Sequence, residues 1–195
     1  MKKLLSIATA LVFSLGVYAG GEENYTVDNS ISSMEWVGKK VTGQHNGTIK
    51  VKEGTVTVSD GMITGGTLMI DMNSIVIEDI KDEGTNAKLA GHLRSDDFFS
   101  VEKYPMSKLI INKVEKKGDK FHIHGDLTIK GKTDKVEIPA EIKMENGKLV
   151  AIGETEIDRT KWDIKYGSGK FFEDLGDKMI YDNFVVKFKV GAKKS

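Results

Sequence analysis

The chain has 195 residues with 29 basic and 29 acidic side chains, four histidines and no cysteine. So even a charge balance points away from nucleic acid and from anionic membrane surfaces as partners. The lack of cysteine removes a disulfide scaffold, a thiol nucleophile, a cysteine metal site and a cysteine-linked lipid anchor.

Met1-Lys2-Lys3 precedes an apolar run from Leu4 to about Val17, followed by the small residues Ala19 and Gly20. This pattern predicts a secretory signal peptide over residues 1–19, because the apolar core is too short and wrongly flanked for a membrane span. Residues 20–195 are then expected to be one soluble domain, periplasmic or secreted, with no stable membrane insertion. A domain of that size buries roughly 70% of its unfolded surface.

Strand candidates follow in order at 31–40, 47–59 and 62–76. In the second, the apolar phase moves from Ile49 and Val51 to Val56 and Val58 across Glu53-Gly54, which predicts a bulge or sharp bend. One helix is expected over 85–94, capped by Asp82 or Thr85 and limited by Gly84 and Gly91. It lies in a long connection between the third and fourth strands, and long ordered loops in compact domains are more often functional than decorative.

Strands at 106–117 and 121–130 come next; the latter sets Phe121, Ile123, Leu127 and Ile129 on one face and His122, His124, Asp126 and Thr128 on the other. A strand at 136–144 repeats the pattern with Val136, Ile138, Ala140 and Ile142, and Asn146-Gly147 turns the chain into 148–158. The last candidate, 179–190, presents Phe184, Val186, Phe188 and Val190 on one side. Eight long antiparallel strands with one apolar face have exposed edges that closure into a barrel removes. The fold expected is all-β: an eight-stranded antiparallel barrel with one short helix.

Three segments carry a resemblance: Gly91-His92-Leu93-Arg94-Ser95-Asp96-Asp97-Phe98-Phe99-Ser100-Val101-Glu102-Lys103-Tyr104-Pro105, Gly125-Asp126-Leu127-Thr128-Ile129-Lys130-Gly131, and Asp158-Arg159-Thr160-Lys161-Trp162-Asp163-Ile164-Lys165-Tyr166-Gly167. With the opening Tyr25-Thr26-Val27-Asp28 and Ser32-Ser33-Met34-Glu35-Trp36, they resemble the YceI-like family over essentially the whole chain after the leader. The resemblance implies a lipocalin-like barrel whose apolar interior holds a long isoprenoid or fatty chain. It implies binding, storage or transport without catalysis, no cofactor other than that lipid, and no metal. A homodimer is left open.

Strands of about twelve residues tilted near 40° give a barrel roughly 30 Å tall, long enough for such a chain. At about 0.8 kcal/mol per buried methylene, twenty carbons nominally contribute about 16 kcal/mol before ordering costs, so no charged anchor is required. An eight-stranded barrel can also be filled by its own side chains. The apolar face therefore reads as tunnel lining or as ordinary core. With the resemblance, the expected lining is Trp36, Ile70, Met72, Phe121, Ile123, Leu127, Ile129, Val136, Ile138, Phe184, Val186 and Phe188, with Leu93, Phe98 and Phe99 turned inward as a lid.

His92, Arg94, Asp96, Arg159, Lys165 and Tyr166 either meet a polar head group or clamp the long loops, with Arg94 or Arg159 pairing with Asp96, Asp97 or Asp158. Two alternatives of other classes stand beside the carrier. One is an enzyme acting on a lipid or isoprenoid substrate through His92 with Asp96 or Asp97; the other is a filled barrel serving stress protection or interaction.

His122-Ile123-His124 has metal-compatible spacing but no third ligand nearby in sequence, and reads as a solvated outer face. Gly167-Ser168-Gly169-Lys170 lacks the spacing of a phosphate loop. Phe171, Phe172 and Leu175 read as a small satellite core under a long loop, or as residues that close the tunnel or touch a membrane.

Overall fold

The computed structural model describes residues 21–195, so the expected signal segment lies outside the described residues. The strands are β1 (Glu23–Val27), β2 (Ser33–Lys40), β3 (Gly43–Ser59), β4 (Met62–Ile77), β5 (Met106–Lys117), β6 (Lys120–Ile129), β7 (Lys132–Glu145), β8 (Lys148–Asp158) and β9 (Ile180–Lys194). One helix, α1 (Glu83–Arg94), sits between β4 and β5. The pairing β3-β2-β9-β8-β7-β6-β5-β4 returns to β3, so the sheet closes into an eight-stranded antiparallel barrel.

β1 is additional to the eight expected strands, yet it adds no new position. It pairs with the second half of β3 and the end of β9, while β2 pairs with the first half of β3. The two are halves of one strand position, broken by a 3-10 turn at Asn29–Ile31. Asp28 caps that turn by accepting from the Ser30 amide at 3.0 Å, and its carboxylate is paired with Lys193. Asn29 Nδ2 donates 2.9 Å to Lys52 O, at the point where β3 skips a residue between Val51 and Glu53. The expected change of phase near Glu53-Gly54 is therefore a bulge, and it bends β3 around the break in its neighbour.

Alternation decides which way each strand faces. Along β6, Ile123, Leu127 and Ile129 are buried while His122, His124 and Asp126 are only partly so. β4 changes phase twice, from Ile63 to Leu68-Ile70-Met72 and then to Ile75 and Ile77, with bulges against β3 at both changes. The buried residues form one large cluster and a smaller one around Ile70, Met72, Ile75 and Val101.

The connections sort by end. Tight turns at Asp60-Gly61, Gly118-Asp119 and Asn146-Gly147 occupy one end. At the other end, here called the mouth, lie α1 with residues 95–105 and the long segment 159–179. α1 is longer by two residues than expected at its start, because Asp82 is the cap, accepting from the Thr85 amide at 2.8 Å. No residue of α1 is buried. Asn86 ties it to the barrel by donating to Ile77 O and Ile80 O at 3.0 Å each.

β7 and β8 pair only from Ala140↔Gly153 to Glu145↔Lys148, leaving the mouthward halves apart. Pro139 stands where the ladder stops, and proline has no amide to donate. Gly153 fills the last rung: a Cβ there would lie 2.4 Å from Pro139 O and 2.6 Å from Phe188 Cζ. Gly153→Ala is expected to cost about 1–3 kcal/mol through this overpacking, read as a lower urea midpoint with an unchanged m value.

Candidate functional site: an apolar cavity and its mouth

The barrel encloses a cavity of about 230 Å³, reaching from Trp36, Phe99 and Arg159 at the mouth to Val56, Ile63 and Leu149 toward the hairpin end. Of the residues expected to line a pore, Phe121 and Val136 stay off its wall. The others stand on it: Trp36, Ile70, Met72, Leu93, Phe98, Phe99, Ile123, Leu127, Ile129, Ile138, Phe184, Val186 and Phe188. Val136 packs against the core instead. Phe121 sits one rung from the β5–β6 hairpin, beneath Lys116 Nζ at 6.0 Å.

Sequence reading missed other wall residues, including Met34, Leu109, Ile111, Leu149 and Ile157. Leu109 and Ile111 alternate cleanly with the outward Lys108 and Ile110, a signal that was present in the sequence. The polar groups on the wall are few and mostly occupied. Ser107 Oγ donates to Met72 Sδ at 3.0 Å, and Trp36 Nε1 donates to Val76 O at 3.2 Å.

Arg159, on the turn after β8, is almost fully buried with 4% of its surface exposed. Its guanidinium donates from Nη1 to Ile164 O at 2.7 Å, from Nη2 to Ile180 O at 3.0 Å and from Nε to Tyr181 O at 3.2 Å. Burial pulls its pKa below the usual value, opposed by the charges of Asp182 and Asp158. Asp182 Oδ1, 3.7 Å away, is the nearest carboxylate oxygen and makes no hydrogen bond of its own. Arg159 is thus a clamp joining segment 159–164 to the start of β9, with every donor nitrogen engaged.

Arg94 plays the same part on the other loop. Its Nη2 donates to Ile75 O at 2.9 Å and Asn73 O at 3.3 Å, carbonyls that the β4 bulge leaves without strand partners. Neither arginine forms the pair expected for it with Asp96, Asp97 or Asp158 among the described residues. Asp96 instead accepts from Ser100 and, at 2.8 Å, from Lys103, while its carbonyl accepts from Lys130 Nζ at 2.6 Å.

His92 Nε2 lies 3.4 Å from Asp97 Oδ2, and its ring packs edge-on against Phe98 and Tyr166 with centroids 4.9 and 4.5 Å away. Neither residue of this pair stands on the cavity wall, although Phe98 does. Lys165 Nζ is 2.7 Å from Asp163 Oδ1 and 4.9 Å from the centre of the Phe171 ring. Phe98 is buried between the two loops, with the Arg159 guanidinium 5.9 Å from its centroid. Trp162, 1% exposed, donates to Leu127 O on β6 at 2.9 Å, reaching across from the end of β8 where β7 and β8 have parted. Only the motif marked this residue in the sequence.

On the outer wall, His122 Nδ1 is 2.6 Å from Glu137 and His124 Nε2 is 3.1 Å from Glu115, with Lys113 and Lys117 completing the network. Phe171 and Phe172 are half exposed, so they form no satellite core.

Fold and site together define a closed, lipocalin-like β-barrel with an apolar interior cavity and two ordered loops clamped over one end. The YceI-like domain model matches residues 25–192, and the chain belongs to that family. A UPF0312 protein of Photorhabdus laumondii is 40% identical over 87 residues, 45% of each chain. Protein YceI of Escherichia coli O157:H7 is 35% identical over 72 residues, 37% of this chain and 38% of that one. These matches thus span less than half of either relative.

Among solved structures, BcnA of Burkholderia cenocepacia superposes with a TM-score of 0.67 at 23% identity, covering 86% of this chain and 99% of that one. A polyisoprenoid-binding domain from Saccharophagus degradans gives 0.62 at 14% identity over 88% and 98%. Both likenesses show the shared fold.

Replacing Arg159 by Met is expected to cost about 3 kcal/mol, because three carbonyls lose their donor in a buried setting. Arg94→Met, at an exposed site, is expected to cost about 1 kcal/mol. Chemical denaturation of the two variants measures the difference.

The mouth carboxylates add a pH dependence. Hydrogen bonds from Lys103 and Ser100 hold Asp96 below the usual carboxylate range, and those from Lys165 and Lys132 do so for Asp163. Burial pushes Asp158 up, but its bonds with Thr160 and Lys170 outweigh that and leave it lowered. Depressed carboxylates stabilise fully above the unfolded value of about 4 and lose that contribution as pH falls through the folded one. The thermal midpoint is therefore expected to be insensitive to these groups from pH 7 to 5 and to fall below pH 4.

Proposed function

We propose that this protein binds a long apolar lipid chain, polyisoprenoid or fatty, inside the barrel and stores or carries it outside the cytoplasm without altering it chemically. The observation that carries this reading is the apolar cavity. A void of about 230 Å³ lined almost wholly by aliphatic and aromatic side chains offers water few partners and suits an apolar ligand. Its size falls just under the roughly 300–1,000 Å³ of typical ligand sites, so a long chain enters by moving lining side chains. Met34 and Met72, with flexible thioethers, and the partly buried Phe99, Phe184 and Phe188 are the movable ones.

The polyisoprenoid-binding neighbour of the same fold supports the choice of ligand class. Among the described residues no helix is long and apolar enough to cross a membrane; a periplasmic or secreted location rests on the leader pattern of residues 1–19. The enzyme alternative finds less support, since neither His92 nor Asp97 stands on the cavity wall. The void itself argues against a barrel wholly filled by its own side chains.

Native mass spectrometry of protein purified from its own cells is expected to show bound lipid mass. Ligand-free protein that also ignores added polyprenyl lipids would overturn the reading. Ala151, on the cavity wall, gives a second test. Ala151→Phe is expected to occupy the void, keeping a cooperative thermal transition while abolishing lipid uptake.

A further inference from the structure

The exposed aromatic side chains are distributed unevenly. Tyr104, Tyr166, Phe171, Phe172 and Tyr181 are 39–49% exposed, and all five lie at the mouth. At the hairpin end the exposed large apolar side chains are Met62 and Met144, with no aromatic among them.

Phe171 and Phe172 are presented by a tight turn in which both amides donate to Ser168 O, at 3.1 and 3.0 Å. Val41, also exposed, joins this surface through its amide, which donates to Met179 O at 3.1 Å. Beside it the barrel seam is irregular. β2 pairs with β9 at Gly38↔Phe184 and next at Lys40↔Ile180, leaving Tyr181, Asp182 and Asn183 against a single β2 residue. Gly38, Lys39, Ile180 and Tyr181 all stand on the cavity wall, and Tyr181 is half exposed. The cavity therefore reaches the surface inside the aromatic patch.

We propose that this mouth docks reversibly on a phospholipid bilayer, with Phe171 and Phe172 among the acyl chains and the β2/β9 irregularity as the passage for a lipid tail. The proposal rests on the lipid-carrier reading above. Amphipathic aromatic rings gather at the membrane–water boundary, and binding there scales with the apolar area inserted. Charge selects the kind of surface. Lys39, Lys40 and Lys178 are exposed, as are Glu173, Asp174 and Asp177, and none of the six is in an ion pair. Equal numbers of each sign complement a zwitterionic headgroup layer and exert little net pull toward an anionic one.

The test is flotation of the full protein with phosphatidylcholine vesicles, run in parallel with uptake of a polyprenol presented in detergent micelles. The wild type is expected to float, with partition little changed by added salt or by phosphatidylglycerol. Phe171→Ser with Phe172→Ser is expected to lower partition at least roughly tenfold, while uptake from micelles stays at the wild-type level. Val41→Ser is expected to give a smaller loss and Met62→Ser, at the far end, none; a thermal melt of each variant checks its folding.

Docking is overturned if the wild type does not float, if the double variant floats equally well, or if salt abolishes binding. It is equally overturned if the patch is found buried between two copies of the chain and vesicle binding is absent. Failure of polyprenol uptake from micelles would instead remove the carrier reading, and flotation would still decide the docking.

Discussion

Curling a sheet tightly enough to close at eight strands forces bulges, and each bulge leaves backbone carbonyls without a neighbour. Two sets of such carbonyls lie at the mouth: Asn73 and Ile75 where β4 breaks step with β3, and Ile180 and Tyr181 where β9 breaks step with β2. Arg94 serves the first pair and Arg159 the second. The two loops over the mouth are therefore fixed by what barrel closure requires. Phe98, Phe99 and Leu93 reach the cavity wall because those loops are held down.

The strands were legible in the sequence because their inward and outward residues alternate. β6 and the first half of β7 show this residue by residue. β1 was not legible as a strand: five residues carry too short a pattern, and its partners lie 29 or more positions away on β3 and β9. Arg94 and Arg159 are legible as residues that either meet a head group or clamp the long loops, but the partners they clamp are not. Their partners are carbonyls, which every residue possesses, so sequence offers carboxylates as partners and cannot single out a bulge. Val136 and Phe121 show the other limit. Alternation tells which face a residue takes, not whether core packing, or the approach of the hairpin end, keeps it from the void.

The β7–β8 ladder ends at Pro139 on one strand and Gly153 on the other, and the mouthward halves splay beyond it. Pro139 withholds an amide at the end of the ladder, and Gly153 allows the strands to remain in contact up to that rung. Beyond it the wall would be open, and Trp162 reaches from the end of β8 to a carbonyl on β6. Lys161 with Asp134 and Lys132 with Asp163 bridge the same gap on the outside, at 3.3 and 3.2 Å. Exposed pairs of this kind contribute little singly. The buried indole, with its one hydrogen bond satisfied, carries the closure.

The same internal satisfaction limits what the mouth can recognise. Arg159 has no free donor nitrogen, Asp96 and Lys103 engage each other, and Lys165 is held by Asp163 and lies over Phe171. A head group at this end would meet Lys39, Lys40 and the tyrosine hydroxyls, all solvated, in place of a preformed charged socket. Under the proposed reading, ligand selection then resides in the chain. Each methylene drawn into the barrel contributes about 0.8 kcal/mol, and the width set by Trp36, Phe99 and Phe184 decides which branched or straight chains can follow. Discrimination by shape along an apolar tunnel is worth only about 1–3 kcal/mol per group. Such a barrel accepts a class of long chains, not one head group.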